Sequence, residues 1–302
     1  MRAGARIAAA LLAALAVLAS CASPGESRSG VVVTTNILGD VARAVVGDQA
    51  EVTVLMQPGA DPHSFGISAQ QAAQVERAAL VVSNGLGLEE GVLRTVEAAR
   101  AAGVPSFEAA PLADPIPYAD SGAPDPHFWT DPMRVRTVVG LLAEQVIAHV
   151  DGVDPEVVRR NAERYQGELD RLDREMRAQF DAIPPQRRKL VTNHHVFGYL
   201  AQRYGFEVVG AVIPGGTTLA SPSASDLESL ATTVRAAGVP TVFADSSHPN
   251  RLAQVLADRA GLHVAVVPLF SESLSAEGGG AATYLEMMRS NAAAISAGLS
   301  CP

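Results

Sequence analysis

The chain has 302 residues, a formal charge of −9, 48% hydrophobic residues and only 5% aromatics. That apolar content excludes a disordered chain, and the acid excess argues against electrostatic binding to nucleic acid. Two cysteines cannot build a disulfide framework, and the length suits two domains with cores of their own.

The chain opens with an export leader over residues 1–20. Arg2 and Arg6 precede an apolar run over 7–19. A membrane-crossing helix needs roughly 17–25 such residues, so this run reads as the core of a signal peptide. It ends in Leu18-Ala19-Ser20-Cys21, which resembles the lipobox of bacterial lipoproteins. Cys21 is then the lipidated residue, carrying an anchor of more than one acyl chain; an incidental cysteine after a plain leader is the alternative. Residues 21–30 hold this cysteine and a small, polar tether. Losing Arg2 and Arg6 with the leader takes the charge from −9 to −11. Cys301 is left as a lone thiol near the C-terminus.

Strands alternate with helices from residue 31. Val31 opens a β-branched strand over 31–35, and Asn36 is placed to cap a helix reaching Val46. A strand at 51–55 follows, then a helix at 70–79 and a strand at 80–83. A helix at 88–102 is stopped by Gly103, and a strand fills 104–107. The Pro-, Asp- and Gly-rich stretch 110–126 is a loop. Asp131 caps and Pro132 opens a helix to Val150. This alternation predicts an α/β lobe over 31–152 with a parallel sheet.

Residues 153–183 differ. Asp154 caps and Pro155 opens a helix to Asp181, and Pro184-Pro185 ends it. Val157, Tyr165, Leu169, Leu172, Met176 and Phe180 form its apolar stripe. At 1.5 Å per residue it is about 42 Å long, enough to join two lobes. Alternation resumes over 184–302, with strands at 189–192, 207–213, 241–244 and 263–267. Helices are predicted at 196–204, 224–237, 250–260 and 282–297. The expected fold is two α/β lobes joined by one long backbone helix, with a site in the cleft between them.

Catalytic signatures are missing. There is no His-Glu-x-x-His and no Gly-x-Ser-x-Gly, and Gly215-Gly216-Thr217-Thr218 lacks the lysine of a phosphate loop. The informative residues are histidines. His63 follows the strand at 51–55 through a tight turn, and His194 follows the strand at 189–192. Ligands bind at such carboxyl ends in open α/β sheets. His127 ends the Pro-rich loop. Asp245 and Glu272 also fall at or after strand ends. Pro62 and Pro126 restrain the histidines they precede. Asp61 and Asp125 are placed to accept the second ring N–H of a metal-binding histidine. His195, beside His194, reads as a supporting residue; His149, His248 and His263 read as solvated or capping residues.

These residues sit in four motifs. Gln57-Pro58-Gly59-Ala60-Asp61-Pro62-His63 and Asp125-Pro126-His127-Phe128-Trp129-Thr130-Asp131-Pro132 are followed by Thr192-Asn193-His194-His195-Val196-Phe197-Gly198-Tyr199 and by Phe270-Ser271-Glu272-Ser273. In this order they resemble the zinc- and manganese-binding lipoproteins that serve ABC importers, over nearly all of the exported chain. The resemblance implies two lobes on a helical backbone and a receptor rather than an enzyme. It implies His63, His127 and His194 as metal ligands. Manganese members tend to carry Glu at the third position, so His194 favours Zn²⁺ over Mn²⁺. The fourth ligand is usually Asp within Thr-Asp-Ser. Here it is Glu272 within Ser-Glu-Ser, with Asp245 as the fallback. The loop before His127 lacks the histidine-rich stretch common in zinc members.

The expected partners are a metal ion, the permease of an ABC importer and, through Cys21, the outer face of the cytoplasmic membrane; a monomer is expected. The site would then lie in a periplasm if the cell has an outer membrane. Three other readings stay open: a manganese receptor of the same family, a secreted zinc hydrolase with Glu272 as its base, and a surface lipoprotein with a vestigial site.

Overall fold

A computed structural model describes residues 28, 30–118, 121–213, 215–219, 221–246, 250–261 and 265–300. The leader, Cys21, most of the tether, His248, His263 and Cys301 lie outside them. No helix among the described residues is long and apolar enough to cross a membrane.

The first lobe is a parallel sheet of β1 (Val31–Val33), β2 (Val52–Val54), β3 (Leu80–Ser83) and β4 (Ser106–Glu108), in the order β2-β1-β3-β4. Successive side chains on a strand face opposite ways. Val31, Val33, Leu80 and Val82 therefore enter the central core, while Val32 and Val81 enter an outer cluster with Val75, Val96 and Ala99. Those last three come from α2 (Ala69–Arg77) and α3 (Leu93–Ala101). On the inner face lie α1 (Asn36–Val46) and α4 (Pro132–His149). Burial on both faces explains the near-continuous valine runs.

The second lobe repeats the plan with β5 (Lys189–Thr192), β6 (Glu207–Ala211), β7 (Thr241–Asp245) and β8 (Ala265–Leu269), all parallel, in the order β6-β5-β7-β8. Its outer face carries α7 (Ala224–Ala237) and α8 (Arg251–Ala260). Its inner face carries α6 (Gly198–Tyr204) and α9 (Tyr284–Ser300). Left-handed Gly205, Gly238 and Gly261 end three of these helices, where a Cβ would be strained.

Between the lobes runs α5 (Pro155–Asp181). The Asp154 carboxylate accepts the N–H groups of Glu156 and Val157 at its start. Val158, Ala162, Tyr165, Leu169, Leu172, Met176 and Phe180 are buried along one stripe. Val158 replaces the expected Val157, which is half-buried, because steps of three and four back from Tyr165 reach Ala162 and Val158. This stripe lies in one apolar core that also takes in Val33, Leu142, Leu190, Phe243 and Ile295. A core continuous through both lobes resists a wide hinge. Truncating fully buried Leu169 to Ala would cost about 2–5 kcal/mol.

Three expectations need correction. Thr35, not Asn36, caps α1: its side chain accepts the Leu38 N–H, and Asn36 is the first helical residue. The helix foreseen at 88–102 begins only at Leu93. Residues 84–92 instead turn around the Glu89 carboxylate, which takes backbone N–H groups from Asn84 and Gly85. The last strand runs on to Leu269, two residues past its expected end at 267, because it pairs with β7 as far as Asp245; residues 263 and 264 of the expected strand lie outside the described residues.

Candidate metal centre

The two Asp-Pro-His segments share one local geometry. Asp61 Oδ1 accepts the His63 backbone N–H at 2.9 Å, and Asp125 Oδ1 accepts that of His127 at 2.9 Å. The aspartate closes a short turn across the proline, and proline has no N–H to compete. Each turn aims its histidine inward and buries it; His127 is fully inaccessible.

The second aspartate does more. Asp125 Oδ1 also lies 2.7 Å from His127 Nδ1. A proton on Nδ1 donated to this carboxylate leaves the Nε2 lone pair facing the cluster. Tyr118 Oη lies 3.0 Å from the same Nδ1. Burial first, and the Asp125 charge next, push the Tyr118 hydroxyl far above its ordinary range, so it keeps its proton.

His194 follows β5 and is also inaccessible; the Thr192 hydroxyl donates to its carbonyl at 2.7 Å. Glu272 arrives on the loop after β8, and that loop is tied to the first lobe. Trp129 Nε1 donates to the Ser271 carbonyl at 2.9 Å. Asn36 Nδ2 donates to Ser273 Oγ at 2.7 Å, and Asn36 Oδ1 accepts the Leu274 N–H at 3.0 Å. The Gly59 N–H reaches the Leu274 carbonyl at 3.0 Å. The first turn of α1 therefore holds the loop that carries Glu272.

One donor atom from each of His63, His127, His194 and Glu272 lies within 4.8 Å of the other three, and all four residues are buried. His63 Nε2 and His127 Nε2 are 3.4 Å apart. Glu272 oxygens lie 3.6 Å from His63 Nε2, 3.6 Å from His127 Nε2 and 3.0 Å from His194 Nε2. Four donors at ~2.0–2.1 Å around a tetrahedral ion stand about 3.3–3.4 Å from one another. The donor chemistry fits such an ion, and the His63–His127 and Glu272 separations lie within about 0.3 Å of that spacing.

Asp125 thus meets the ring of its histidine, whereas Asp61 holds the backbone N–H of His63 and the hydroxyls of Ser64 and Thr218. Asp245 lies outside the cluster; its carboxylate accepts the Ser271 hydroxyl, one residue before Glu272. His195 is half-buried and is not among the four donors. A cavity of about 330 Å³ leads to His63, walled by Leu86, Gly87, Tyr118, Gly216 and Thr217. The strap 215–219 closes its second-lobe side. Thr218 Oγ1 donates to Asp61 Oδ2 at 2.7 Å, and Tyr118 Oη donates to the Gly216 carbonyl at 3.5 Å. A Cβ on Gly216 would fall 2.2–2.5 Å from Tyr118 atoms, so only glycine allows this approach. Sequence reasoning missed Asn36, Tyr118 and Thr218 in these roles. The one available signal was an Asn amid the apolar start of α1.

Two α/β lobes about a stiff helix, with buried imidazoles and a carboxylate converging at the carboxyl ends of both sheets, define a metal-binding receptor. Residues 31–298 match the family described as zinc-uptake complex component A, periplasmic, and the chain belongs to that family. Members of this family are substrate-binding proteins of metal transport and not enzymes, which removes the hydrolase reading. The chain is 30% identical to the zinc-binding protein TroA of Treponema pallidum over 275 residues, 89% of this chain and 88% of TroA. Its fold superposes on the structure of that protein with a TM-score of 0.84, covering 91% of this chain and all of the other. It is 27% identical to the manganese-binding lipoprotein MntA of Halalkalibacterium halodurans over 96% of both chains. It is 28% identical to the iron-binding protein YfeA of Yersinia pestis over 89% of this chain and 85% of YfeA.

Proposed function

We propose that this protein is a zinc receptor outside the cytoplasmic membrane that passes Zn²⁺ to the permease of an ABC importer. His63, His127, His194 and Glu272 are its four ligands. The observation that carries the reading is the buried convergence of three imidazoles and one carboxylate, with one donor atom from each lying within 4.8 Å of the others. Such a set satisfies four-coordinate Zn²⁺ with no open position, as a carrier requires and a zinc hydrolase does not. The relative named for zinc is consistent with this.

A second reading, a manganese receptor, has one geometric point in its favour. The two Glu272 oxygens face different histidines, Oε2 toward His63 and Oε1 toward His127 and His194. A carboxylate gripping with both oxygens would raise the coordination number, which suits a harder ion. Competition titration against a chelator separates the two. The zinc reading expects Zn²⁺ to displace Mn²⁺ by orders of magnitude beyond the ordinary preference of nitrogen ligands. Tighter Mn²⁺ binding would reverse the assignment.

The rest of the assembly belongs to the same proposal. Residues 1–20 direct export, Cys21 carries lipid, and residues 22–30 tether a monomeric two-lobed receptor, with lobes at 31–152 and 184–302 joined through 153–183. Because one core runs through both lobes, release proceeds by local movement. The Glu272 loop is tied down by Asn36, Gly59 and Trp129, whereas the strap 215–219 is held to the first lobe chiefly at Thr218 and Gly216. Lifting that strap opens the cavity beside His63.

A further inference from the structure

In the first lobe, β1 leads on to β2 on one side and β3 leads on to β4 on the other, so the crevice between the carboxyl ends of β1 and β3 is the topological switch point. Open parallel sheets bind ligands in this crevice. Here the chain fills it with its own carboxylate. Glu89 Oε1 accepts the Thr34 hydroxyl at 2.6 Å and the Asn84 N–H at 2.6 Å, and Oε2 accepts the Gly85 N–H at 3.1 Å. The residue is only 6% exposed.

Reaching this position takes an unusual turn. Gly85, Leu86 and Gly87 have φ of 81°, 54° and 80°. A leucine in the left-handed region costs roughly 1–2 kcal/mol, so the turn needs something to hold it. The Glu89 carboxylate does so by binding both N–H groups at the turn's start. Asn84, fixed in this way, donates its side-chain Nδ2 to the Pro126 carbonyl at 3.0 Å. Pro126 is bonded directly to His127. Two hydrogen bonds thus connect a buried carboxylate to the peptide that carries a metal ligand. The same turn supplies Leu86 and Gly87 to the wall of the cavity beside His63.

We propose that Glu89 is a positioning residue for the metal site: it fixes Asn84, and Asn84 sets the angle at which His127 joins the cluster. The second lobe repeats the device, since Asp245 at the end of β7 accepts the hydroxyl of Ser271, the residue before Glu272. Each sheet therefore sets a buried carboxylate behind one ligand contributed by a loop. The inference rests on reading His63, His127, His194 and Glu272 as the metal site.

The test compares the unmodified chain with Glu89→Gln, Asn84→Ala and the double variant. Zinc affinity is read by chelator competition, the visible spectrum of the Co²⁺ form reports ligand geometry, and apo melting reports stability. Supporting residues behind metal ligands typically contribute 10–100-fold to affinity. Each single change is expected to weaken zinc about tenfold and alter the cobalt bands. The double variant should fall no further than the weaker single, because both act on one path. Lower melting temperatures with unchanged zinc affinity and cobalt spectra would show a merely structural role and overturn the proposal. Multiplicative losses in the double variant would overturn the path through Asn84. If Glu89→Gln does not fold, Asn84→Ala decides alone, since it leaves the backbone contacts of Glu89 in place. An unmodified chain that takes up no zinc or cobalt would overturn the site itself, a result distinct from one confined to the variants.

Discussion

Replacing Asp125 probes how much of the metal affinity comes from behind the ligand. Asp125 Oδ1 accepts two hydrogen bonds from one residue, the His127 N–H at 2.9 Å and the ring Nδ1–H at 2.7 Å. Hydrogen bonds to a charged acceptor are worth roughly 1.5–3 kcal/mol net, against about 1 kcal/mol for neutral pairs. Asp125→Asn keeps an acceptor oxygen and loses the charge, a difference of about 1.4 kcal/mol, or tenfold in affinity. Asp125→Ala loses both bonds and frees the imidazole to rotate and change tautomer. Its expected loss is near a hundredfold, at the upper end for such partners. The assay is chelator competition for Zn²⁺ at neutral pH, with apo melting measured in parallel. A properly folded Asp125→Ala chain that binds zinc within twofold of the unmodified one would refute the argument that this carboxylate orients His127.

Other consequences follow from the same geometry. Thr218→Val removes the hydroxyl that donates to Asp61, so zinc release into excess chelator should accelerate about tenfold, the equivalent of one hydrogen bond to a charged group; unchanged release would remove the strap from the path. Asn36→Ala deletes the side chain that ties Ser273 and Leu274 to α1, so denaturant unfolding of the apo chain should show a loss of about 2–3 kcal/mol, and a neutral result would contradict its buried hydrogen bonds. At Asp173, burial works to raise the carboxyl, but hydrogen bonds from Arg203 and Tyr204 outweigh it and leave the group below its ordinary value. A depressed carboxyl contributes stability above its unfolded value and loses it as pH falls through the folded one. Asp173→Asn should therefore cost about 1 kcal/mol at neutral pH, after allowance for partial solvent screening, and that gap should close below about pH 4. A gap that persisted into acid would show that the charge is not what matters. Zinc affinity should also fall steeply below about pH 6, because imidazoles must be neutral to ligate; a flat profile would count against three histidine ligands.

Local pattern and long-range contact differ in how far a sequence exposes them. The strands were legible because Val31 to Val33 and Leu80 to Val82 are buried on both faces and leave unbroken apolar runs. The long helix was legible from Asp154, Pro155 and the stripe ending at Phe180. His63, His127, His194 and Glu272 stood out because each follows a strand end or a proline turn, and the structure brings them together. Glu89 did not stand out. It lies at the start of a helical pattern, and nothing local shows that its carboxylate turns back to cap β1 and β3. Asn36 has the composition of a helix cap, but its side chain is taken up by residues more than two hundred positions away. The Gly215-Gly216-Thr217-Thr218 turn looked like a weak phosphate loop. Its glycine instead admits the Tyr118 ring, and its second threonine hooks Asp61. In each case the deciding partner comes from elsewhere in the chain, and periodicity carries no information about it.

In the proposed receptor, three imidazoles and one carboxylate from two lobes hold one metal ion. Crystals grown with Zn²⁺ and measured at the zinc absorption edge test it most directly. One fully occupied anomalous peak is expected among His63, His127, His194 and Glu272, with donor distances of about 2.0–2.2 Å and no water completing the coordination. A peak elsewhere, or one at this position lacking a histidine ligand or held in part by water, would contradict it.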